Sequence, residues 1–195
     1  MNFKRHLLVL AMLVAIGVFV AGLSIARAEG GDDGGGSNPA TCQSNENDQG
    51  EDADDQGEDV QGDEQGEDID GTEADDQIEA NGGDDDVQGE DGNDDICGDQ
   101  GDDVLKGGAG DDVIQGGPGD DVENGQAGDD DVVGNGDDDT LTGGRGKDLV
   151  SGKAGNDRIN VRHYGRDKVH CGRGHDVVKA NRNDSVAASC EVVKR

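Results

Sequence analysis

Aliphatic residues recur at every ninth position across residues 71–160, which form ten consecutive copies of a nine-residue unit with no insertion or deletion. They hold the eighth position in nine of the ten copies, and only Glu123 interrupts the series. A fixed period with one apolar side chain per unit predicts stacked coils that bury this side chain against their neighbours. The aliphatic positions are Ile78, Val87, Ile96, Leu105, Ile114, Val132, Leu141, Val150 and Ile159.

Each unit combines a glycine-rich loop with a very short strand. Residues 107–115 read Gly-Gly-Ala-Gly-Asp-Asp-Val-Ile-Gln, and the glycines at the first, second and fourth positions permit the positive φ values of a tight loop. The last three residues of the unit predict a three-residue strand whose middle side chain faces inward. Two units make a coil of about 18 residues, so the expected fold is all-β, with two short parallel sheets and a loop on each edge.

An aspartate holds the sixth position of every copy. Loops on one edge come from alternate copies, so Asp85, Asp103, Asp121, Asp139 and Asp157 are expected in one column and Asp94, Asp112, Asp130 and Asp148 in the other. The ten sixth-position residues are Asp76, Asp85, Asp94, Asp103, Asp112, Asp121, Asp130, Asp139, Asp148 and Asp157.

Three departures from the repeat mark where the stack should be weakest. Ala74 and Asp137 replace the glycine at the fourth position of their copies. Glu123 places a carboxylate in the aliphatic column, unless its strand turns locally so that Val122 points inward.

The charge of the chain is divided between its two parts. Residues 29–144 carry 41 Asp and Glu against a single base, Lys106, whereas residues 145–195 carry 12 Lys and Arg against 6 acids. An acidic block of this density repels itself and cannot compact without counterions. It also excludes nucleic acid as a partner, because both molecules would be polyanions.

The apolar content is too small for ordinary hydrophobic folding. After residue 28 the only aromatic residue is Tyr164, and one aliphatic side chain per nine residues offsets little of the entropy lost on ordering the chain. A ligand that binds only the folded form must supply the rest, and the carboxylates indicate a cation. Calcium prefers six to eight carboxylate and carbonyl oxygens in flexible loops, whereas magnesium demands a stricter octahedron.

The ten copies resemble the RTX, or haemolysin-type, calcium-binding nonapeptide family, whose signature is Gly-Gly-x-Gly-x-Asp-x-aliphatic-x. The resemblance is close over residues 71–160 and loose over residues 161–186. It implies a right-handed parallel β-roll with several calcium ions held between neighbouring loops, about eight at most. It also implies that the ten sixth-position aspartates are ligands, with Asp167 and Asp176 as extra candidates. The glycine positions expected to frame the best sites are Gly107, Gly108, Gly110, Gly116, Gly117, Gly119, Gly143, Gly144 and Gly146.

Other polar residues have simpler interpretations. The fifth-position acids are expected to point to solvent and attract ions generally: Asp75, Asp84, Asp102, Asp111, Asp120, Asp129 and Asp138. His163, His170 and His175 lie near Cys171, but no Cys-x-x-Cys or paired-His spacing supports zinc, and ordinary surface histidines are expected.

The N-terminus has the features of an export signal. Three basic residues precede an apolar run over residues 7–26, and Ala26-Arg27-Ala28 is a small-x-small cleavage site. An uncleaved membrane anchor is the alternative, because the run is about as long as a bilayer is thick. The predicted organisation is a signal peptide (1–28), an acidic linker with degenerate repeats (29–70), ten nonapeptide repeats (71–160) and a basic, disulfide-stapled cap (161–195). No membrane span is expected after cleavage.

Cysteine usage agrees with export, since disulfides persist outside the cell. Cys171 and Cys190 bracket the last repeat remnants and are expected to pair. Cys42 and Cys97 form a second candidate pair, which the sequence leaves open.

The sequence therefore predicts a secreted, calcium-binding β-roll without catalysis. It has no His-Glu-x-x-His or Gly-x-Ser-x-Gly motif and no non-repeat segment large enough for an active site. The alternative is a cell-surface adhesive or structural module, whose basic cap contacts anionic wall polymer or the acidic roll of another copy.

Overall fold

The structure is a computed structural model that describes residues 57–163 and 165–194. The predicted signal peptide, most of the acidic linker and Cys42 lie outside the described residues, so the cleavage site, the anchor alternative and the Cys42–Cys97 pair are still predictions. No helix among the described residues is long and apolar enough to cross a membrane.

Within the described residues, sixteen strands build two eight-stranded sheets in which every pairing is parallel. Odd-numbered strands form one sheet and even-numbered strands the other, so the chain alternates between the sheets as it winds. The strands are β1 Asp59–Gln61, β2 Asp68–Asp70, β3 Gln77–Glu79, β4 Asp86–Asp91, β5 Asp95–Cys97, β6 Val104–Ala109, β7 Val113–Pro118, β8 Val122–Ala127, β9 Asp131–Gly136, β10 Thr140–Arg145, β11 Leu149–Ala154, β12 Arg158–Val161, β13 Lys168–Arg173, β14 Val177–Ala180, β15 Ser185–Val186 and β16 Val192–Lys194.

The predicted parallel β-solenoid is confirmed, with about 7 turns. Residues 18 apart pair across neighbouring coils, as Ile96 does with Ile114 and Ile114 with Val132. The interval widens by one residue after the regular array, where Val150 pairs with Val169, because one residue is inserted in the sequence there. The first two strands fall in the degenerate stretch and pair with β3 and β4.

The core is a column of eighth-position side chains between the two sheets. All nine predicted aliphatics are at most 1% exposed. Val169 and Val178 continue the column into the C-terminal part. Parallel stacking in register places each aliphatic side chain directly on the equivalent one in the next coil.

The strands are longer than the three residues predicted from the sequence. In most copies pairing continues into the loop, as in β7, where Gly117 and Pro118 pair with Asn135 and Gly136 of β9. The prediction was too short because glycine-rich loops also carry backbone N–H and C=O groups that need partners, and the neighbouring coil supplies them.

The side chain of Glu123, and not that of Val122, faces the core. Val122 is 43% exposed and Glu123 is 0% exposed, so the strand does not turn and the carboxylate enters the core column.

The C-terminal coils are closed by the predicted disulfide between Cys171 and Cys190. Cys171 lies buried in the core cluster, and Cys190 packs against it from the segment between β15 and β16. The bridge therefore joins a regular strand, β13, to the irregular end of the chain.

Candidate calcium sites in two aspartate columns

The ten sixth-position aspartates are buried although they lie at the loop edges of the roll. Each is at most 4% exposed. They sit immediately before the strands, where the chain re-enters the sheet, so their side chains turn into the space between successive loops. Buried carboxylates normally require a partner, because removing an isolated charge from water is very costly.

One oxygen of each carboxylate holds the coils together. The main-chain N–H of Asp94 donates to Oδ1 of Asp112 over 3.0 Å, and the N–H of Asp112 donates to Oδ1 of Asp130 over 3.1 Å. The same bond repeats along the other edge, where the N–H of Asp103 donates to Oδ1 of Asp121 over 2.9 Å. The hydrogen bonds thus define two columns that contain the groupings expected from the sequence.

Both columns extend beyond the regular array. The N–H of Asp148 donates to Asp167, which in turn donates to Asp184. On the other edge the N–H of Asp157 donates to Asp176, whose own N–H donates to Oε2 of Glu191. The last acid of each column therefore ends a continuous ladder.

The second oxygen, Oδ2, is buried and has no hydrogen-bond partner in most copies. An orphaned carboxylate oxygen costs several kcal/mol unless a proton or cation meets it, on the order of the desolvation penalty of a charged group. The aspartates with such an oxygen are Asp85, Asp94, Asp103, Asp112, Asp121, Asp130, Asp139, Asp148, Asp157 and Asp176.

Asp76 differs from the other sixth-position residues. The main-chain N–H of Thr72 donates to its Oδ2 over 2.5 Å, and the Thr72 hydroxyl lies 3.0 Å from its Oδ1. Both oxygens therefore have partners within the loop, and Asp76 has less capacity for a cation than its equivalents.

Most of the unpartnered oxygens lie beside the first-position glycine of their copy, and at several of these glycines a backbone carbonyl oxygen is also close. A methyl group built on Gly107 would lie 2.2 Å from Asp112 Oδ2 and 2.9 Å from the carbonyl oxygen of Gly125, one coil later. On Gly125 it would lie 2.2 Å from Asp130 Oδ2 and 2.4 Å from the Gly143 carbonyl oxygen. A carboxylate and a carbonyl oxygen at such sites are the hard donors that calcium prefers.

The fourth-position glycines let the loops stack backbone to backbone. A methyl group on Gly119 would lie 1.7 Å from the carbonyl oxygen of Gly101. Its φ of 148° is also open to few residues other than glycine. Asp137 takes this position with φ of 71°, a left-handed conformation that costs an ordinary residue about 1–2 kcal/mol. The loop that contains Asp137 therefore departs from its neighbours.

Burial raises the pKa of several carboxyls in the middle of the two columns. The pKa of Asp112 rises to about 6, that of Asp121 to about 7 and that of Asp139 to about 8. Removal from water is the main cause; the N–H accepted from the coil before lowers the pKa, and neighbouring carboxylates raise it again. Ionising these buried carboxyls is therefore unfavourable in the metal-free roll, and a divalent cation would offset that cost.

Side chains alone do not complete a metal site. Within the described residues no three His, Cys, Asp or Glu side chains are grouped so that they could hold one ion. Any bound cation must therefore take backbone carbonyl oxygens as well as aspartates, which agrees with calcium and not with a zinc cluster. His163, His170 and His175 are exposed, and Cys171 is committed to its disulfide.

A second, outer hydrogen-bond ladder was not predicted from the sequence. The seven fifth-position acids are exposed, yet each accepts a main-chain N–H from the following coil through Oδ1. For example, the N–H of Asp129 donates to Asp111 over 2.7 Å. Inner and outer ladders run in opposite directions along the roll. The outer acids lie at the exposed surface, where the second oxygen of Asp129 pairs with Lys147 Nζ at 3.0 Å. The regular nine-residue spacing of the fifth-position acids was the only feature of the sequence that could have indicated this second ladder.

A parallel β-roll with two columns of inward-facing aspartates defines the class of this protein. The model of the RTX calcium-binding nonapeptide repeat matches it in four copies, over residues 61–96, 70–105, 98–122 and 124–159, which together cover half of the chain. The chain belongs to this calcium-binding repeat family. No curated protein matches it.

Proposed function

We propose that this protein is exported, has no catalytic activity and, near neutral pH, folds into its β-roll only when several calcium ions fill the loops. The observation that carries the proposal is the row of buried Oδ2 atoms without hydrogen-bond partners, most of which lie beside a first-position glycine. Calcium binding by the repeats is the family's property; the dependence of folding on calcium follows from the cost of leaving these oxygens bare.

The proposed ligands are the sixth-position aspartates and the carbonyls of the glycine-rich loops. The strongest candidates are Asp103, Asp112, Asp121, Asp130 and Asp148, because each leaves Oδ2 without a partner and lies in a copy with glycine at the first and fourth positions. Asp176 joins the set, whereas Asp76 is a weaker member because Thr72 already occupies its oxygens.

Export provides the condition for folding. Extracellular calcium-binding modules typically bind at about 10⁻⁴–10⁻³ M, so a chain of this kind stays open where calcium is scarce and closes where it is abundant. The basic start, apolar run and cleavage site of residues 1–28 support export.

A calcium titration followed by circular dichroism tests the proposal. We expect little strand signal in excess chelator, a cooperative rise on adding calcium, and a much weaker response to magnesium at the same concentration. Counting calcium ions bound to the purified chain by elemental analysis gives the stoichiometry. Strand signal that is already complete in excess chelator would contradict calcium-dependent folding.

A role as a cell-surface adhesive module is the second candidate, and the distribution of charge favours it. The C-terminal coils carry exposed basic side chains beside a strongly acidic roll, namely Arg158, Arg162, Arg166, Lys168, Arg173, Lys179, Arg182 and Lys194. Such a surface suits an anionic wall polymer or the acidic roll of another copy.

Binding to purified anionic wall polymer at increasing salt tests this role. We expect retention that weakens with salt and that falls in a variant carrying Lys168→Gln, Arg173→Gln and Lys179→Gln. The matched control is Arg145→Gln with Lys147→Gln and Lys153→Gln, which removes the same charge from the regular array. Equal retention of both variants, or none by the native chain, would argue against the adhesive role.

A further inference from the structure

Glu123 is an ionisable side chain in the aliphatic column of the regular array. It is 0% exposed and pairs in register with Leu105 on one side and Leu141 on the other. A leucine would fit this position as it does in both neighbouring coils. The carboxylate therefore stands where packing alone would favour a hydrocarbon.

Both oxygens of Glu123 are buried and have no hydrogen-bond partner. Its charged neighbours Asp121, Asp139 and Asp157 are themselves carboxylates, which repel a negative charge at this point. Burial also opposes ionisation, and together these effects outweigh the contribution of its own backbone, so the buried group requires either a proton or a cation.

The Glu123 carboxylate points from the core toward the Asp121 site. A methyl group built on Gly116 would lie 2.3 Å from Asp121 Oδ2 and 2.6 Å from Glu123 Oε1. Two oxygens that share one calcium ion lie at most about 5 Å apart, since each binds it at about 2.3–2.6 Å. Both oxygens at Gly116 are close enough to satisfy that limit.

At several other first-position glycines the second oxygen near the built methyl group is a backbone carbonyl, whereas at Gly116 it is Oε1 of Glu123. Beside Gly98 the neighbour of Asp103 Oδ2 is the carbonyl oxygen of Gly116, at 2.7 Å from the built methyl group. The equivalent carbonyl for Gly116 would belong to Gly134, in the copy whose fourth-position glycine is replaced by Asp137.

From this geometry we infer that Glu123 is an additional calcium ligand, which reaches from the core column to the ion held by Asp121. The inference rests on the proposed calcium-binding function. It assigns to one loop a carboxylate that the nonapeptide signature lacks, since the signature reserves the eighth position for an aliphatic residue. An ion held here contacts one carboxylate of the core column and one of the loop edge, and it stabilises the middle of the roll by joining the two.

The alternative is a neutral, protonated Glu123 that binds nothing, and two substitutions separate the two cases. Glu123→Leu restores the aliphatic column, and Glu123→Gln keeps the shape but removes the charge. Glu79→Gln is the matched control, because it removes the same charge from the outward-facing side of β3, where Glu79 is only partly buried. All three variants are expected to fold in saturating calcium, which circular dichroism checks.

The readouts are the number of bound calcium ions, by elemental analysis of the dialysed chain, and the calcium concentration at half-maximal strand signal. We expect Glu123→Leu to bind one ion fewer than the native chain. Glu123→Gln should need a higher calcium concentration, with the affinity of one site reduced on the order of tenfold or more. Glu79→Gln should match the native chain in stoichiometry.

Unchanged stoichiometry and midpoint in both Glu123 variants would overturn the inference while leaving the proposed function intact. A Glu123→Leu chain that folds at lower calcium than the native chain with the same ion count would also overturn it, since that result identifies Glu123 as a packing defect. If the native chain binds no calcium at all, the proposed function itself fails, so the two failures are distinguishable.

Discussion

The main-chain N–H of Asp121 donates a 3.0 Å hydrogen bond to Oδ1 of Asp139, the equivalent residue one coil later. The other oxygen of Asp139 is buried without a partner. Most aspartates in the columns thus have two separate roles: Oδ1 joins neighbouring coils, and Oδ2 is left for a cation. Because the roles fall on different oxygens, a substitution can remove one and keep the other.

Asp112→Asn should weaken calcium binding without breaking the ladder. The amide keeps an oxygen that can accept the N–H of Asp94, but it removes the charge and replaces Oδ2 with a donor. We expect the affinity of the affected site to fall on the order of tenfold, measured as a higher calcium midpoint in circular dichroism.

The matched control is the neighbouring residue of the outer ladder. Asp111→Asn removes the same charge one position earlier and also keeps an acceptor for the N–H of Asp129. Its calcium midpoint should shift far less, because Asp111 is exposed. Equal shifts of the calcium midpoint in both variants would mean that the overall negative charge of the roll attracts the ion, and not the buried aspartate.

Gly125→Ala should destabilise the calcium-loaded roll. The added methyl group would lie 2.2 Å from Asp130 Oδ2 and 2.4 Å from the Gly143 carbonyl oxygen, so it would push apart the two donors. We expect a loss of about 1–3 kcal/mol in the free energy of unfolding, measured by denaturant titration in saturating calcium.

Gly136→Ala is the control for this substitution. Its nearest neighbour would be the Gly117 carbonyl oxygen at 3.9 Å, and Gly136 does not have a left-handed φ. Alanine should be neutral or stabilise the fold by up to about 1 kcal/mol, because it restricts the unfolded chain. If Gly136→Ala destabilises the roll as much as Gly125→Ala, the glycine requirement is explained by loop flexibility and not by the two oxygens beside Gly125.

An uninterrupted nine-residue period determines much of this fold. It places Ile96 on Ile114 and Asp103 on Asp121, because any other register would put charged residues into the core. The period does not show how far pairing extends into the loops, which depends on backbone groups that all residues share. The period also does not show that fifth-position acids such as Asp111 accept a hydrogen bond from the next coil, because such a bond depends on the side-chain rotamer. The period also does not determine whether the side chain of Glu123 or that of Val122 faces the core, because the sequence cannot show which way one strand faces.

Acid should favour the metal-free roll and oppose calcium binding. The pKa of Asp121 is about 7 and that of Asp139 about 8 in the folded chain, against an ordinary value of 3.8. The folded state therefore binds more protons between these values, and the stability these groups contribute is present at low pH and lost as pH rises through the folded pKa.

Circular dichroism in excess chelator, from about pH 8 down to about pH 5, tests this dependence. We expect strand signal to increase as the pH falls, and the calcium midpoint to rise over the same range, because calcium must displace the protons. A metal-free chain whose strand signal declines steadily toward acid would contradict the raised pKa values.

Removing the Cys171–Cys190 disulfide should destabilise the C-terminal coils. The bridge closes a loop with a sequence separation of 19 residues, for which chain entropy predicts a contribution of about 3 kcal/mol. Cys171→Ala with Cys190→Ala keeps a small apolar residue in the core, and Ser189→Ala is the control for substitution near the end of the chain. Hydrogen exchange in saturating calcium should show faster exchange in β13–β16, with β6–β10 little affected, because in a solenoid each coil contacts only its neighbours. Uniform loss of protection along the whole roll would instead show that the cap and the array unfold as one unit.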